Sequence, residues 1–470
     1  MKIKRALKII LVVVLSIIIA QLFILKPVDN SDYKTKAFYT KTISEIETAK
    51  ISTLLAATDS LKAGWSSRSI VPFAPQRLIG GNIRGKYTEV NDSLFVRTIV
   101  FSSAGKYVAY IQFDLLIVTP QITAAVNKKL KAQNLLLKDI YFTASHTHSG
   151  YGGWSGGIVA DFALGGNNPE IIEFLANKTF ESIKLAIDNQ QVIKTGFQKH
   201  KIMRLVRNRV DSKYPFDDFL RLLKIENKSG ENALITTFQA HPTTIGRKSK
   251  ALSGDYPGLL MAALKKQNIS NFPICSAGAV ASHGVFVQKG TVNIHNFIFN
   301  WMLPKTKLPY PKTMERAYAY SDSLLNHIKK INSGFECKAP SVIKFVTIPV
   351  YLNVPHFRIG KYLRLRETIF NFLFDELQAH IDILQIDSLL FISTPADFSG
   401  EFYSEIESFC KTKNLTPVIT GFNGDYVGYI TPDKYYHLNH NEFTTMNWIG
   451  PFGGAYFIEI IKKSIDKITD

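Results

Sequence analysis

Lys106 to Gly150 reads KYVAYIQFDLLIVTPQITAAVNKKLKAQNLLLKDIYFTASHTHSG, and three patterns follow one another within it. Lys106 to Thr119 reads as an apolar strand, Gln121 to Asn134 as an amphipathic helix, and Asp139 to Ser145 as a second strand, which together predict a βαβ unit. The second strand runs straight into Ser145-His146-Thr147-His148-Ser149-Gly150. In open α/β sheets, ligands gather at the carboxyl ends of strands, so this histidine pair stands where chemistry is expected.

Outward from this unit the alternation continues. A long helix is expected over Pro169 to Asn189, and a hairpin over Leu222 to Ala240 turning at Lys228-Ser229-Gly230. Pro257 to Gln267 reads as a helix and Phe272 to Val280 as a strand. A helix near Met314 to Ile331, a strand near Val342 to Leu352 and a helix near Leu365 to Leu377 come next. A hairpin over Ile381 to Thr394, a helix over 400–412, a strand over 416–421 and a helix over 455–467 complete the pattern. No repeat and no later domain boundary interrupts it. The fold class expected is therefore α/β, a mixed-sheet catalytic domain over 61–470 with surrounding helices.

The N-terminus has a different character. Ile9 to Leu25 is a run of seventeen residues with nothing more polar than Ser16 and Gln21, bounded by Lys8 and Lys26. Such a run can just span a bilayer, so one transmembrane helix is expected ahead of the domain. Lys2, Lys4, Arg5 and Lys8 precede it, and the positive-inside rule then keeps residues 1–26 as a cytoplasmic stub and anchor. Residues 27–60 read as a polar linker with helical character, and the catalytic part is expected outside the cytoplasm, on the periplasmic face of a bacterial inner membrane. Lys26-Pro27-Val28-Asp29-Asn30 lacks a small-x-small cleavage pattern, which favours a retained anchor.

With 470 residues, of which 46% are apolar, the chain can bury a large core, and nothing in it has a disordered or collagenous composition. Cys275, Cys337 and Cys410 are too few and too scattered for a cysteine-rich metal site or a disulfide framework. The formal charge of +18 is spread along the chain without a block of like charge or a nucleic-acid motif. It reads as attraction to anionic membrane surfaces, with no nucleic-acid partner.

Four segments carry chemistry. In an extended backbone residues i and i+2 project to the same side, so His146 and His148 are expected to face one cavity, as two zinc ligands or as one ligand and one acid/base. His241 ends the apolar strand Ala233 to Ala240 and is followed by Pro242, which offers a further imidazole at a strand end. Asp255 stands nearby as a helix cap or as a group orienting a ligand histidine. Asp397, at the end of the strand Ser388 to Ser393, offers a carboxylate ligand or an ordinary N-cap. Asn423-Gly424-Asp425-Tyr426-Val427-Gly428-Tyr429-Ile430-Thr431-Pro432 is a glycine-punctuated turn after another apolar strand.

In that order, these segments resemble the neutral, or alkaline non-lysosomal, ceramidase family, with its THTHSG-type motif, its downstream histidine, its carboxylate after a strand and its YSGYVTTPEEY-type segment. The resemblance runs with gaps from about Gly64 to Gly450-Pro451-Phe452-Gly453-Gly454-Ala455-Tyr456, and the family's C-terminal immunoglobulin-like domain is expected to be absent. It implies one zinc ion per chain on His146, His241, Asp397 and Tyr429, with Asp397 in the place of the family's glutamate. It implies a catalytic or substrate-orienting His148, and Arg209 facing the substrate's polar end. A family serine is replaced by Ala281 or displaced to Ser282, which is carried as a catalytic residue. A second family tyrosine is replaced by Asn441.

The expected activity is zinc-dependent hydrolysis of the amide bond of a ceramide-like N-acyl lipid, giving a fatty acid and an amine. Zinc would lower the pKa of water toward neutrality, His148 would shuttle a proton, and Tyr429 with Arg209 would stabilise negative charge. Two rivals remain at this stage. One is another zinc hydrolase such as a lactonase or phosphoesterase, although those usually follow the HxH pair with Asp-His. The other is a membrane-anchored protein that binds lipid without cleaving it.

Overall fold

The computed structural model describes Arg5, Leu11 and residues 24–56, 60–80, 85–286 and 313–469. Most of the expected anchor, Ile9 to Leu25, lies outside the described residues. Among the described residues no helix is long and apolar enough to cross a membrane. The last residue of the apolar run, Leu25, belongs to a strand, β1 (Leu25–Pro27). The segment read as a linker is built into the domain through α1 (Ala37–Thr48) and β2 (Ser52–Leu55).

An eight-stranded sheet holds β3 (Lys62–Ser69), β4 (Phe95–Ser103), β5 (Lys106–Phe113) and β6 (Asp139–Ala144). It continues with β7 (Gln191–Lys201), β8 (Phe219–Asn227), β9 (Asn232–Phe238) and β10 (Phe272–Ala277). The spatial order is β10-β9-β8-β7-β3-β4-β5-β6. Helices α2 (Pro120–Ala132), α3 (Pro169–Asp188), α4 (Asp255–Lys266) and α5 (Met314–Ile331) cover its outer face.

A five-stranded sheet lies against its inner face. It includes β2 and β11 (Val342–Pro349). After the short β12 (Arg358–Ile359), β13 (Leu363–Leu365) and α6 (Glu367–Leu373) come β14 (His380–Ile386) and β15 (Leu389–Thr394). The two-residue β16 (Asp397–Phe398) and α7 (Tyr403–Lys411) lead to β17 (Thr416–Gly421), and β18 (Tyr429–Ile430) and α8 (Gly453–Thr469) close the chain. The sheet order is β2-β11-β14-β15-β17. Helices α1, α7 and α8 cover it on the outside, which makes four layers, helices on sheet on sheet on helices.

The strands of the larger sheet read as continuous apolar runs because they are covered twice. Phe101, Tyr110 and Tyr141 point between the sheets against Phe345, Leu384 and Phe391, while Val100, Ile111 and Phe142 pack under α2 and α3. Tyr141 stacks on Tyr110 with ring centroids 5.1 Å apart, and its hydroxyl pairs with Thr420 Oγ1 of the facing sheet at 2.7 Å. A buried hydroxyl without such a partner would cost about 1–3 kcal/mol.

Within the two large sheets three pairs run parallel: β5 with β6, β9 with β10, and β15 with β17. Each is joined by one helix, α2, α4 and α7 in turn, so the βαβ reading of the opening stretch holds and recurs. Two elements are shortened most. The strand expected to Thr119 ends at Phe113, and the helix expected over Leu365 to Leu377 is only Glu367–Leu373. Asp114 ends the first because its carboxylate turns back to accept the Phe95 N–H, while Arg97 pairs with it at 2.6 Å.

Candidate metal centre and cavity

All the parallel strands deliver their carboxyl ends to one place. His146 follows β6, His241 follows β9, Asp397 follows β15, and Tyr426 and Tyr429 follow β17. The turns there are strained. His146, Ser282 and Phe422 adopt φ of 61°, 62° and 68°, a region that non-glycine residues occupy at a cost and that clusters at functional sites. The two histidines of the HxH pair do converge, though not through strand alternation as expected. β6 ends at Ala144, and the left-handed turn at His146 swings its ring onto that of Phe422, stacked with centroids 4.1 Å apart.

Three imidazoles meet at their Nε2 atoms. The separations are 3.1 Å between His146 and His241, 3.3 Å between His146 and His148, and 2.8 Å between His148 and His241. His146 Nδ1 lies 2.7 Å from the Leu116 carbonyl oxygen and His148 Nδ1 lies 3.3 Å from that of Gly80. A carbonyl oxygen only accepts, so each Nδ1 carries the proton and each Nε2 turns a lone pair inward. Lone pairs facing one another at these distances repel unless an electrophile lies between them, and together the three histidines can hold a metal ion.

Asp397 adds a carboxylate to the same focus. It is buried, with Oδ1 3.3 Å from His146 Nε2 and 3.7 Å from His241 Nδ1, and this oxygen receives no hydrogen bond. Oδ2 accepts the Tyr426 hydroxyl at 2.8 Å. The helix-cap alternative for Asp397 falls to Ser399, whose side chain accepts the Glu401 N–H. An orphaned buried carboxylate oxygen beside converging lone pairs fits a cation, and the imidazole and carboxylate donors suit zinc. Burial first, then Arg209 and the other two imidazoles, hold His241 well below the ordinary histidine range, so it is neutral and able to ligate.

Tyr429 faces Asp397 in register across the parallel pair β16·β18. Its hydroxyl oxygen accepts Arg209 Nη2–H at 3.1 Å, and burial, followed by the Asp397 charge, raises its pKa above the ordinary phenol. Arg209 is itself gripped by Glu442, whose other oxygen accepts the Ser282 N–H at 3.0 Å and the Ser282 hydroxyl at 3.1 Å. Ser282 is buried behind Glu442 and is not among the residues lining the cavity, whereas Asn441 is. Asp255 does not touch the histidines. Its carboxylate accepts the N–H groups of Thr244 and Ile245 and so holds the loop that follows His241.

A cavity of about 930 Å³ opens over this cluster. His146, His148, His241, Asp397, Arg209 and Tyr429 form its polar floor, and Ile117, Val159, Leu164, Phe374, Leu377 and Trp448 are among its apolar walls. The size and the division into a small polar focus and a large apolar wall are those of a site for a molecule with a long apolar part.

Residues 81–284 match a family model described as neutral/alkaline non-lysosomal ceramidase, N-terminal. Over that stretch the chain is similar to the neutral ceramidase family. The stretch contains His146, His148, Arg209, His241 and Ser282, while Asp397 and Tyr429 lie beyond it. The fold is similar to that of the neutral ceramidase from Pseudomonas aeruginosa, with a TM-score of 0.71 at 15% identity over 87% of this chain and 74% of that one. It is similar also to a ceramidase complexed with C2, with a TM-score of 0.69 at 14% identity over 86% and 75%. No curated protein matches the chain.

Two residues escaped the sequence. Tyr426 lay inside a segment already singled out, but a tyrosine after a strand is ordinarily a packing residue. Glu442 stands in no periodic pattern, and only the meeting of its loop with Arg209 reveals it.

Proposed function

We propose that this chain is a zinc-dependent amidohydrolase that cleaves the amide bond of a ceramide-like N-acyl lipid into a fatty acid and an amine. The observation that carries the reading is the convergence of three imidazole Nε2 atoms and an orphaned carboxylate oxygen on the floor of a large, mainly apolar cavity. His146, His241 and Asp397 are assigned to the ion, because they are buried and His146 is fixed by a short bond to a carbonyl oxygen. When bound, zinc would polarise the amide carbonyl and bring the pKa of water toward neutrality.

His148 is the least buried of the three and lines the cavity, with the longer of the two Nδ1 contacts, so it is assigned to carrying a proton to the leaving amine. Arg209 and Tyr429 face the oxygen on which negative charge develops. Burial holds the Tyr429 phenol in its neutral form, able to donate, and its oxygen would complete the ion's ligands when zinc is bound. Glu442 keeps Arg209 directed at Tyr429. Apolar walls bind the acyl chain and exclude water.

We infer a place at the membrane from the sequence, where the apolar run Ile9 to Leu25 behind Lys2, Lys4, Arg5 and Lys8 supports an extracytoplasmic catalytic domain. The reaction is tested on a panel of N-acyl sphingoid bases, other N-acyl amines, lactones and phosphodiesters. Fatty acid should be released from the N-acyl lipids. Hydrolysis confined to lactones or phosphodiesters, or lipid binding without release from any of them, refutes the assignment.

A further inference from the structure

The small sheet β1-β13-β12 is built inside out. Leu25 pairs with Leu365, Lys26 with Arg364 and Pro27 with Leu363, while Arg358 pairs with Arg364 and Ile359 with Leu363. Paired residues share a face and successive residues alternate. One face therefore carries Leu25, Pro27, Ile359, Leu363 and Leu365, and the other carries Lys26, Arg358 and Arg364. In β12 and β13 the charged face is the buried one. Arg358 and Arg364 are 6% and 9% exposed, whereas Ile359 and Leu363 are 44% and 40% exposed. In an ordinary half-buried sheet the assignment is the reverse.

The inversion is locked by satisfied bonds. Arg358 donates to the carbonyl oxygens of Leu438 at 2.7 Å and Gly360 at 2.5 Å, and Lys26 and Arg364 both pair with Glu367. A slip of one residue would expose the apolar side chains' places to these cations and break every one of those bonds. The outward apolar face is thus specified by the fold. Exposed apolar groups continue beside it, with Tyr362 68% exposed in the turn before β13 and Phe372 71% exposed on α6.

We propose that this outward face docks on a lipid bilayer and sets the cavity mouth at the membrane surface. Three observations choose a bilayer over other partners. The apolar run of sequence from Ile9 ends at Leu25, inside this very sheet, so a membrane-inserted run and this face would lie together. The chain segments on either side of the sheet line the cavity, Phe357 before β12 and Phe374 to Leu377 after α6. Exposed Lys361 sits in the β12–β13 turn of a chain with net charge +18, which complements anionic headgroups. The docking needs no catalysis, although its use in passing lipid into the cavity rests on the N-acyl lipid reading.

The full-length protein is mixed with phosphatidylcholine/phosphatidylglycerol vesicles whose acyl chains carry bromine, a short-range quencher of indole emission. Leu363→Trp is compared with Tyr318→Trp, placed on the exposed side of α5, and the unmodified protein supplies the background. Tyr362→Trp serves as a second reporter, since a turn position 68% exposed tolerates the ring should Leu363→Trp fold poorly. The indoles at 362 and 363 should lose roughly half of their emission and shift to the blue, and the one at 318 should not change. Vesicle binding without quenching at 362 or 363 overturns the proposal. So does self-association of the protein that Leu363→Asp abolishes, because the face would then belong to a second copy. No substrate enters the experiment, so a failure of the amidase reading leaves this readout unaffected.

Discussion

At the scale of single residues, the site divides its labour by burial. His146 and His241 are enclosed, oriented by the protein and beside Asp397, whereas His148 borders the cavity. His241→Ala should therefore remove both the ion and hydrolysis, as read by metal analysis of the purified protein and by fatty-acid release. His148→Ala should keep the ion and lose roughly 10²- to 10⁴-fold in kcat, the usual contribution of a positioned acid/base. Loss of metal in His148→Ala would make it a ligand and overturn that division. Glu442 belongs to the same scale. Glu442→Gln keeps the size but removes the charge that balances Arg209, so Arg209 should lose its direction toward Tyr429. The rate of hydrolysis should fall by about tenfold while the metal content is unchanged, since the lost charge-assisted bond is worth about 1.5–3 kcal/mol only in part at a side chain 25% exposed.

At the scale of elements, the loop after β17 must be held still, because Tyr426 on it supports Asp397. His380, the first residue of β14, is the staple. Its Nδ1 lies 2.5 Å from Asp425 Oδ2 and its Nε2 3.3 Å from Asp382 Oδ2, and its carbonyl oxygen accepts the Asn423 amide at 2.7 Å. Burial pulls the His380 pKa down, but the two carboxylates outweigh it and lift the value to about 10. The folded pKa stands above the unfolded value of about 6.5, so the staple's stabilisation is complete below pH about 6.5 and fades as pH rises through about 10. His380→Gln should cost about 2 kcal/mol at pH 6, below the usual loss for a buried pair because the side chain is 23% exposed. The difference from the unmodified protein in urea-melt midpoint should shrink between pH 7 and pH 10.5. A difference constant over that range would show that the ion pair contributes nothing there.

At the scale of the molecule, the proposed metal site draws on both sheets. His146 and His241 come from the eight-stranded sheet, and Asp397 from the end of the five-stranded one. An ion held by both binds the folded state and not the unfolded chain, so its removal should lower stability by mass action, about 2.7 kcal/mol at a free concentration 100 times Kd. For a chain of 470 residues a strong chelator should lower Tm by about 3 °C, roughly 1 °C for each kcal/mol, and added zinc should restore it. An unchanged Tm, with metal analysis confirming removal, would mean that the cluster is stable as built and that the ion is not a structural link.

The sequence by itself determined the alternating α/β class, the βαβ opening, the histidines at strand ends and the likeness that places Asp397 and Tyr429 with them. Those are local matters, since apolar periodicity and strand-end position depend on residues a few places apart. It could not show that β4 to β6 pack under helices on one side and a second sheet on the other, because a doubly covered strand reads the same whatever covers it. Nor could it show why the HxH rings meet, which depends on a left-handed turn at His146, or that Glu442 closes on Arg209 from 233 residues away. The inverted face of β1-β13-β12 belongs there too. Five apolar residues scattered over three short segments become one surface only when register pairs them, and register across such separations is decided by tertiary packing.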